Sequence, residues 1–74
     1  MNVNADPKTQ EEMGKKFRTA RENKGLSQEQ VADKAGISIT YYAGIERGEE
    51  NPSLAVIKGI CKVLNIRSTQ ILHF

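Results

Sequence analysis

Few side chains in this 74-residue sequence have the types and spacing that catalysis or metal binding requires. Cys61 is its one cysteine, so no internal disulfide can form, and a position on an apolar helix stripe favours core packing over redox sensing. His73 is the one histidine, and no cysteine lies at a metal-ligand spacing from it. The sequence contains no glycine-rich phosphate loop, nucleophile elbow or paired-carboxylate cleft. We therefore predict that the protein is not an enzyme and binds no metal or cofactor.

Hydroxyl side chains instead mark the starts of two short predicted helices. Ser27 and Gln30 form a capping box of the S-x-x-Q type, and Ser38 caps a second helix that ends near Arg47. Gly36, in the Ala-Gly-Ile link between the helices, can adopt the positive φ that a tight turn requires. A glycine-containing turn of this length joins two helices at a steep angle. The second helix of such a pair is narrow enough to enter the major groove of double-stranded DNA.

In this segment the sequence resembles the Cro and lambda-type repressor family of helix-turn-helix proteins. The stretches SQEQVADKAGIS and GIERGEENPSL are close to that family's common pattern, and the match extends over residues 12–72. The stretch TYYAGIERG and the chain length also resemble controller proteins of restriction-modification systems. The resemblance implies a compact all-α domain of five helices, with the motif at residues 27–47. It also implies a transcriptional regulator that binds double-stranded DNA sequence-specifically.

The resemblance further implies which side chains would contact DNA. Gln28 corresponds to a glutamine that contacts phosphate and braces the recognition helix, the second helix of the motif. Thr40 can bond a base edge, and Ile39 can contact the methyl group of thymine. Because position 39 is often long and polar in the family, we expect sparse direct readout and a contribution from DNA shape. The expected DNA-contacting residues are Gln28, Lys34, Ser38, Ile39, Thr40, Tyr41, Ala43, Gly44 and Arg47.

Two positions of the motif are interpreted as structural. The resemblance implies that Glu46 reaches Arg21 of the first helix, and a charge near the domain interior does need such a partner. Tyr42 stands where the family has an aliphatic core residue, so we expect it to be a packed aromatic. The residues expected to form the shared core of the motif are Val31, Ile37, Tyr42 and Ile45.

Charge by itself does not identify a partner. The formal net charge is +2, and five basic side chains within ten residues of the first predicted helix accompany one acid, Glu22. They form either a solvated helix face or, at Lys15 and Lys16, a surface that contacts phosphate. Glu49 and Glu50 follow the recognition helix and would repel a nearby phosphate. They therefore either point away from DNA or lower the affinity.

Apolar spacing and capping residues predict five helices and no sheet. Asp6-Pro7 is a helix start signal, and the first helix is expected to run from Pro7 to Lys24. Serines at the other starts predict helices beginning near residues 27, 38, 53 and 68. We expect residues 1–6 to form a flexible arm and residues 7–74 to form the helix-turn-helix domain.

The length suits one small domain with a marginal core, so we expect it to form a homodimer. Such a dimer would recognise two half-sites about one helical turn apart. No signal peptide, membrane-spanning stretch or effector domain is evident, so we expect a cytoplasmic protein without a membrane or small-molecule partner. A protein-interaction module of the antitoxin or adaptor type is the alternative. Apolar residues near the end that could form the dimer contact, or pack on the chain's own core, are Val63, Ile66, Ile71, Leu72 and Phe74.

Overall fold

The computed structural model describes residues 7–71, which contain five α-helices and no strand. The predicted arm at residues 1–6 and the last three residues, among them the dimer candidates Leu72 and Phe74, lie outside the described residues. The all-α, five-helix fold predicted from the sequence is confirmed. No helix within residues 7–71 is long and apolar enough to cross a bilayer. The helices are α1 (Pro7–Asn23), α2 (Gln28–Ala35), α3 (Ile39–Glu46), α4 (Leu54–Leu64) and α5 (Ser68–Ile71).

Serine caps fix where the two motif helices begin. The Ser27 hydroxyl accepts a hydrogen bond from the Gln30 amide at 3.0 Å, while the Gln30 side chain accepts one from the Ser27 amide at 2.8 Å. The Ser38 hydroxyl accepts from the Tyr41 amide at 3.1 Å. Each bond satisfies a backbone donor that the first turn of a helix leaves without an intrahelical partner.

Gly36 makes the sharp turn between α2 and α3. Its φ of 73° lies in the left-handed region, which a glycine enters without steric cost. The amide of the following residue, Ile37, then donates to the Ala32 carbonyl oxygen at 3.0 Å and closes the end of α2. This turn sets the angle between the two motif helices, as the glycine at this position predicted.

The core lies between α1, the motif helices and α4. Val31, Tyr42 and Ile45 are fully buried, and Ile37 packs against them from the edge, so the predicted core of the motif is confirmed. Ile71 of α5 is also buried, with 5% of its surface exposed. Of the two roles that the sequence left open for Ile71, a dimer contact or packing on the chain's own core, the fold shows the second.

Helix α1 approaches the end of α3 very closely at Gly14. A Cβ added there would lie 2.5 Å from the carbonyl oxygen of Ile45 and would also meet the carbonyl oxygen of Glu46. Both neighbours are backbone atoms, which cannot rotate away as a side chain can. The absence of a side chain at Gly14 thus allows α1 to lie directly on the recognition helix.

Candidate nucleic-acid interface

The first turn of α3 is exposed. Ser38, Ile39 and Thr40 are all exposed, and Ile39 keeps 46% of its surface accessible. Ile39 and Leu54 are the large hydrophobic residues left exposed within residues 7–71. Most apolar side chains of this size are buried in a small domain. An isoleucine flanked by two hydroxyl residues therefore forms a small apolar and hydrogen-bonding surface that no other residue between 7 and 71 covers.

The opposite face of α3 is fixed in the core. Tyr42 and Ile45 have no exposed surface, whereas Tyr41 and Ala43 are half-buried, and Tyr41 packs partly against the core. Because buried residues on one side anchor the helix, the orientation of the exposed first turn is well defined. Arg47, the C-cap of α3, is exposed as predicted.

Gly44, one of the residues expected to contact DNA, is not exposed to solvent. It is buried, and a Cβ added to it would come within 2.8 Å of Cγ of Glu50. The loop after α3 folds back so that the Glu50 side chain covers this part of the helix. In the free protein, Gly44 is therefore less accessible to DNA than its place among the expected DNA-contacting residues implies.

Glu46, at the end of α3, is the centre of a polar network. Its carboxylate accepts two hydrogen bonds from the Arg21 guanidinium, from Nε at 2.7 Å and from Nη2 at 3.1 Å. Gln28 Nε2 donates to the same carboxylate at 2.9 Å. Arg21 Nη1 also donates to the Leu26 carbonyl oxygen at 2.8 Å. The network therefore joins α1, the start of α2, the link between them and α3.

The implied pair of Arg21 and Glu46 is thus present, and Gln28 contacts the recognition helix directly. The side chains of Glu46 and Arg21 are only 3% and 13% exposed. Sequence reasoning missed the bond from Arg21 to the Leu26 carbonyl, because no side-chain pattern identifies a backbone acceptor.

Burial and hydrogen bonding shift the pKa of Glu46 in opposite directions. Burial favours the neutral form of Glu46, but the hydrogen bonds from Arg21 and Gln28 outweigh it, so the pKa of Glu46 lies below its ordinary value. The hydrogen bond to Glu46 raises the pKa of Arg21. Burial raises the pKa of Tyr42, and the nearby Glu46 carboxylate raises it further. The buried Tyr42 hydroxyl has no hydrogen-bond partner in good geometry within residues 7–71. Glu46 is therefore ionised and Tyr42 neutral at physiological pH.

We expect the domain to lose stability in acid as Glu46 becomes protonated. Because its pKa in the folded chain is below the ordinary value of 4.5, the stabilisation is fully present above pH 4.5 and is lost as the pH falls through the folded-state pKa. Urea unfolding between pH 7 and pH 3 measures this change in the free energy of unfolding. The variant Glu46→Gln should give a flatter profile over that range. An equal slope for the two proteins would contradict the prediction.

A cleft between α1 and the motif brings several of the predicted phosphate-contacting groups together. Lys15, Gln28 and Arg47 all line it, as do Arg18 and Arg21. The other lining residues are three acids, Glu11, Glu46 and Glu49. Lys34 is exposed but does not line this cleft, and Lys16 faces a separate groove.

Arg18 is a basic cleft residue to which sequence reasoning gave no role. It makes an exposed ion pair with Glu22, with 3.3 Å between Nε and Oε2. Its spacing of three from Lys15 and from Arg21 places the three basic residues on one side of α1, and this spacing is the signal that could have identified it.

The remaining dimer candidates, Val63 and Ile66, are half-buried and pack against the core of their own chain. Each still exposes part of its side chain.

Comparison with known proteins agrees with this geometry. The uncharacterized HTH-type transcriptional regulator YazB of Bacillus subtilis (strain 168) is 40% identical over 58 residues, which are 78% of this chain and 84% of that protein. The immunity repressor protein of Bacillus phage phi105 is 36% identical over 59 residues, which are 80% of this chain. This chain matches only 41% of that repressor's length.

The structural comparison gives a similar result. The crystal structure of the restriction-modification controller protein C.AhdI from Aeromonas hydrophila has a TM-score of 0.82 to this chain at 35% identity. The superposition covers 85% of this chain and 96% of that one. The sequence profile of the family described as helix-turn-helix matches residues 17–71. The chain therefore belongs to the helix-turn-helix family of transcriptional regulators, as its resemblance to the Cro and lambda-type repressors predicted.

Proposed function

We propose that this protein is a sequence-specific regulator of transcription that binds a two-fold symmetric site on double-stranded DNA as a homodimer. The observation that carries the proposal is the exposed first turn of α3, where Ile39 lies between two hydroxyl residues while Tyr42 and Ile45 anchor the other face. Relatives named as an immunity repressor and as a restriction-modification controller protein support the same function.

In the proposed complex, the first turn of α3 enters the major groove. Thr40 bonds a base edge, and Ile39 contacts a thymine methyl group. The cleft residues Lys15, Gln28 and Arg47 contact phosphates on one side of the groove, and Lys34 contacts the backbone elsewhere. Because these contacts release counterions, binding weakens steeply as the salt concentration rises.

Selection of bound sequences from a random duplex pool tests the proposal. We expect a two-fold symmetric consensus whose half-sites lie about one helical turn apart. Titration with the selected duplex should shift the NMR signals of Ile39 and Thr40. Failure to enrich any sequence, or duplex binding that is insensitive to salt, would reject the proposal and favour a protein-interaction module.

The substitution Ile39→Ala is expected to relax the preference at one base pair in each half-site. Loss of the contact with a thymine methyl group should reduce discrimination there by roughly fivefold, the lower end of the cost of a single mismatch. Affinities for duplexes that differ at single positions measure the effect. Leu54→Ala is the matched control, because Leu54 is 47% exposed at the start of another helix. An equal loss of affinity for every duplex would argue against base contact by Ile39.

The proposed homodimer rests on Val63 and Ile66, whose side chains are only partly covered by the chain's own core. A domain of this size buries too little surface for a large margin of stability, so burial of further apolar surface against a second copy is favourable. Weak dimers with such small contacts assemble at about tens of micromolar. Sedimentation of the wild-type protein in this concentration range should show a dimer. We expect Val63→Asp to shift it towards monomer, and a monomeric wild-type protein at that concentration would refute this part of the proposal.

A further inference from the structure

The acidic loop after α3 is held in a fixed position against the recognition helix. The Glu49 amide donates to the Gly44 carbonyl oxygen at 2.9 Å. Gln10 Nε2 of α1 donates to the Glu50 carbonyl oxygen at 2.7 Å. The Glu50 side chain packs over Gly44, where a Cβ would leave no room for it. The backbone of this loop is therefore held by α1 and α3, which keeps Glu49 and Glu50 close to the end of the recognition helix.

Glu49 engages Arg47, one of the predicted phosphate-contacting residues. Arg47 Nη2 lies 3.1 Å from Glu49 Oε1, and both side chains are more than half exposed. The hydrogen bond with Glu49 raises the pKa of Arg47 and lowers that of Glu49. An ion pair in contact with water is weak and can exchange partners.

The same guanidinium lines the cleft that also contains Lys15 and Gln28. A phosphate in this cleft would compete with Glu49 for the N–H donors of the Arg47 guanidinium, since carboxylate and phosphate both offer oxygen acceptors to it. A carboxylate left beside the phosphate would also repel it. The free protein thus carries its own competitor for a DNA-contacting arginine.

We propose that Glu49 sets the DNA affinity of this domain by occupying Arg47 in the unbound protein, so that binding requires Arg47 to exchange a carboxylate for a phosphate. This inference rests on the proposed function, and it assigns to Glu49 a positioning role and no contact with DNA.

Glu49→Gln tests the inference, because glutamine keeps the size of the side chain and removes its charge. We expect the variant to bind the selected duplex about two- to tenfold more tightly at low salt, given the modest strength of exposed ion pairs and the loss of one repulsion. Glu12→Gln is the matched control. Glu12 is exposed on α1, does not line the cleft and gives the same change in net charge. The inference is overturned if the two variants tighten binding equally.

A second comparison removes the arginine. In an Arg47→Gln background, Glu49→Gln should tighten binding less than it does with Arg47 present, because the competition is gone and only the repulsion of phosphate by Glu49 remains to be relieved. Arg47→Gln alone should lower the slope of log affinity against log salt by roughly 0.9 if Arg47 contacts one phosphate. A full gain from Glu49→Gln without Arg47 would contradict the inference.

The outcome separates this inference from the proposed function. A wild-type protein that binds no duplex at low salt rejects both. Salt-dependent binding with no gain from Glu49→Gln rejects the role of Glu49 alone. In the unbound protein, an NMR titration should show that Arg47→Gln raises the pKa of Glu49, and an unchanged pKa would remove the basis of the exchange.

Discussion

Replacement of Gly14 by alanine is expected to lower the free energy of unfolding by about 3 kcal/mol or more, at the upper end of the cost of overpacking. The added Cβ would press on the carbonyl oxygens of Ile45 and Glu46, which belong to the backbone of α3. Relief of this contact requires α1 to move away from the recognition helix. Because a domain of this length has a total stability of only about 5 kcal/mol, the variant should keep less than half of the wild-type stability. Urea denaturation followed by circular dichroism measures the loss.

Gly59→Ala provides the matched control for Gly14→Ala. Gly59 lies within α4, and a Cβ added to it would meet nothing within 4 Å. We expect this substitution to stabilise the domain by about 0.5–1 kcal/mol, because alanine has the higher helix propensity. Similar small effects at both glycines would show that the close approach of α1 to α3 does not limit stability.

Removal of the Glu46 carboxylate is also expected to cause a large loss in the free energy of unfolding. In Glu46→Ala, the guanidinium of Arg21 would keep its bond to the Leu26 carbonyl but lose its anionic partner in a site where it is 13% exposed. Gln28 Nε2 would lose its acceptor as well. Breaking a buried pair in this way costs about 3–5 kcal/mol. The measurement is again the free energy of unfolding, at pH 7, where Glu46 is ionised.

A double-mutant cycle isolates the contribution of the pair. Arg21→Met combined with Glu46→Gln should show a coupling energy of about 1–3 kcal/mol, as residues in one hydrogen-bonded network do. The exposed pair of Arg18 and Glu22, four residues apart on α1, should show about 0.5 kcal/mol or less in the same cycle. Absence of coupling between Arg21 and Glu46 would reject a structural role for the pair.

Local signals in the sequence predicted the elements of the fold well. The serines at 27, 38 and 53 and the glycine at 36 act on the backbone within a few residues of themselves, so capping and turn chemistry place the motif helices correctly. The pair of Arg21 and Glu46 lies 25 residues apart in the chain. It was predicted through the family resemblance, because no local pattern connects the two residues.

Features that depend on how the helices pack could not be predicted in the same way. Gly14 has the same sequence signature as any glycine within a helix, and only the position of α3 shows why a side chain is excluded there. For Ile71, spacing along α5 does not tell whether a second copy or the chain's own core covers it. The Glu50 side chain covers Gly44 because hydrogen bonds hold the loop after α3 against α1 and α3.

The network around Glu46 has a mechanical consequence for the complex. Because Arg21 and Gln28 hold α1 and α2 to the end of α3, these three helices are expected to dock as one rigid body, with little change in their mutual angles. Any misfit between the protein surface and a straight duplex must then be relieved by bending or twisting of the DNA. The energy of that deformation differs between base sequences, so stiffness within the domain would itself contribute to the choice of binding site at base pairs that no side chain touches.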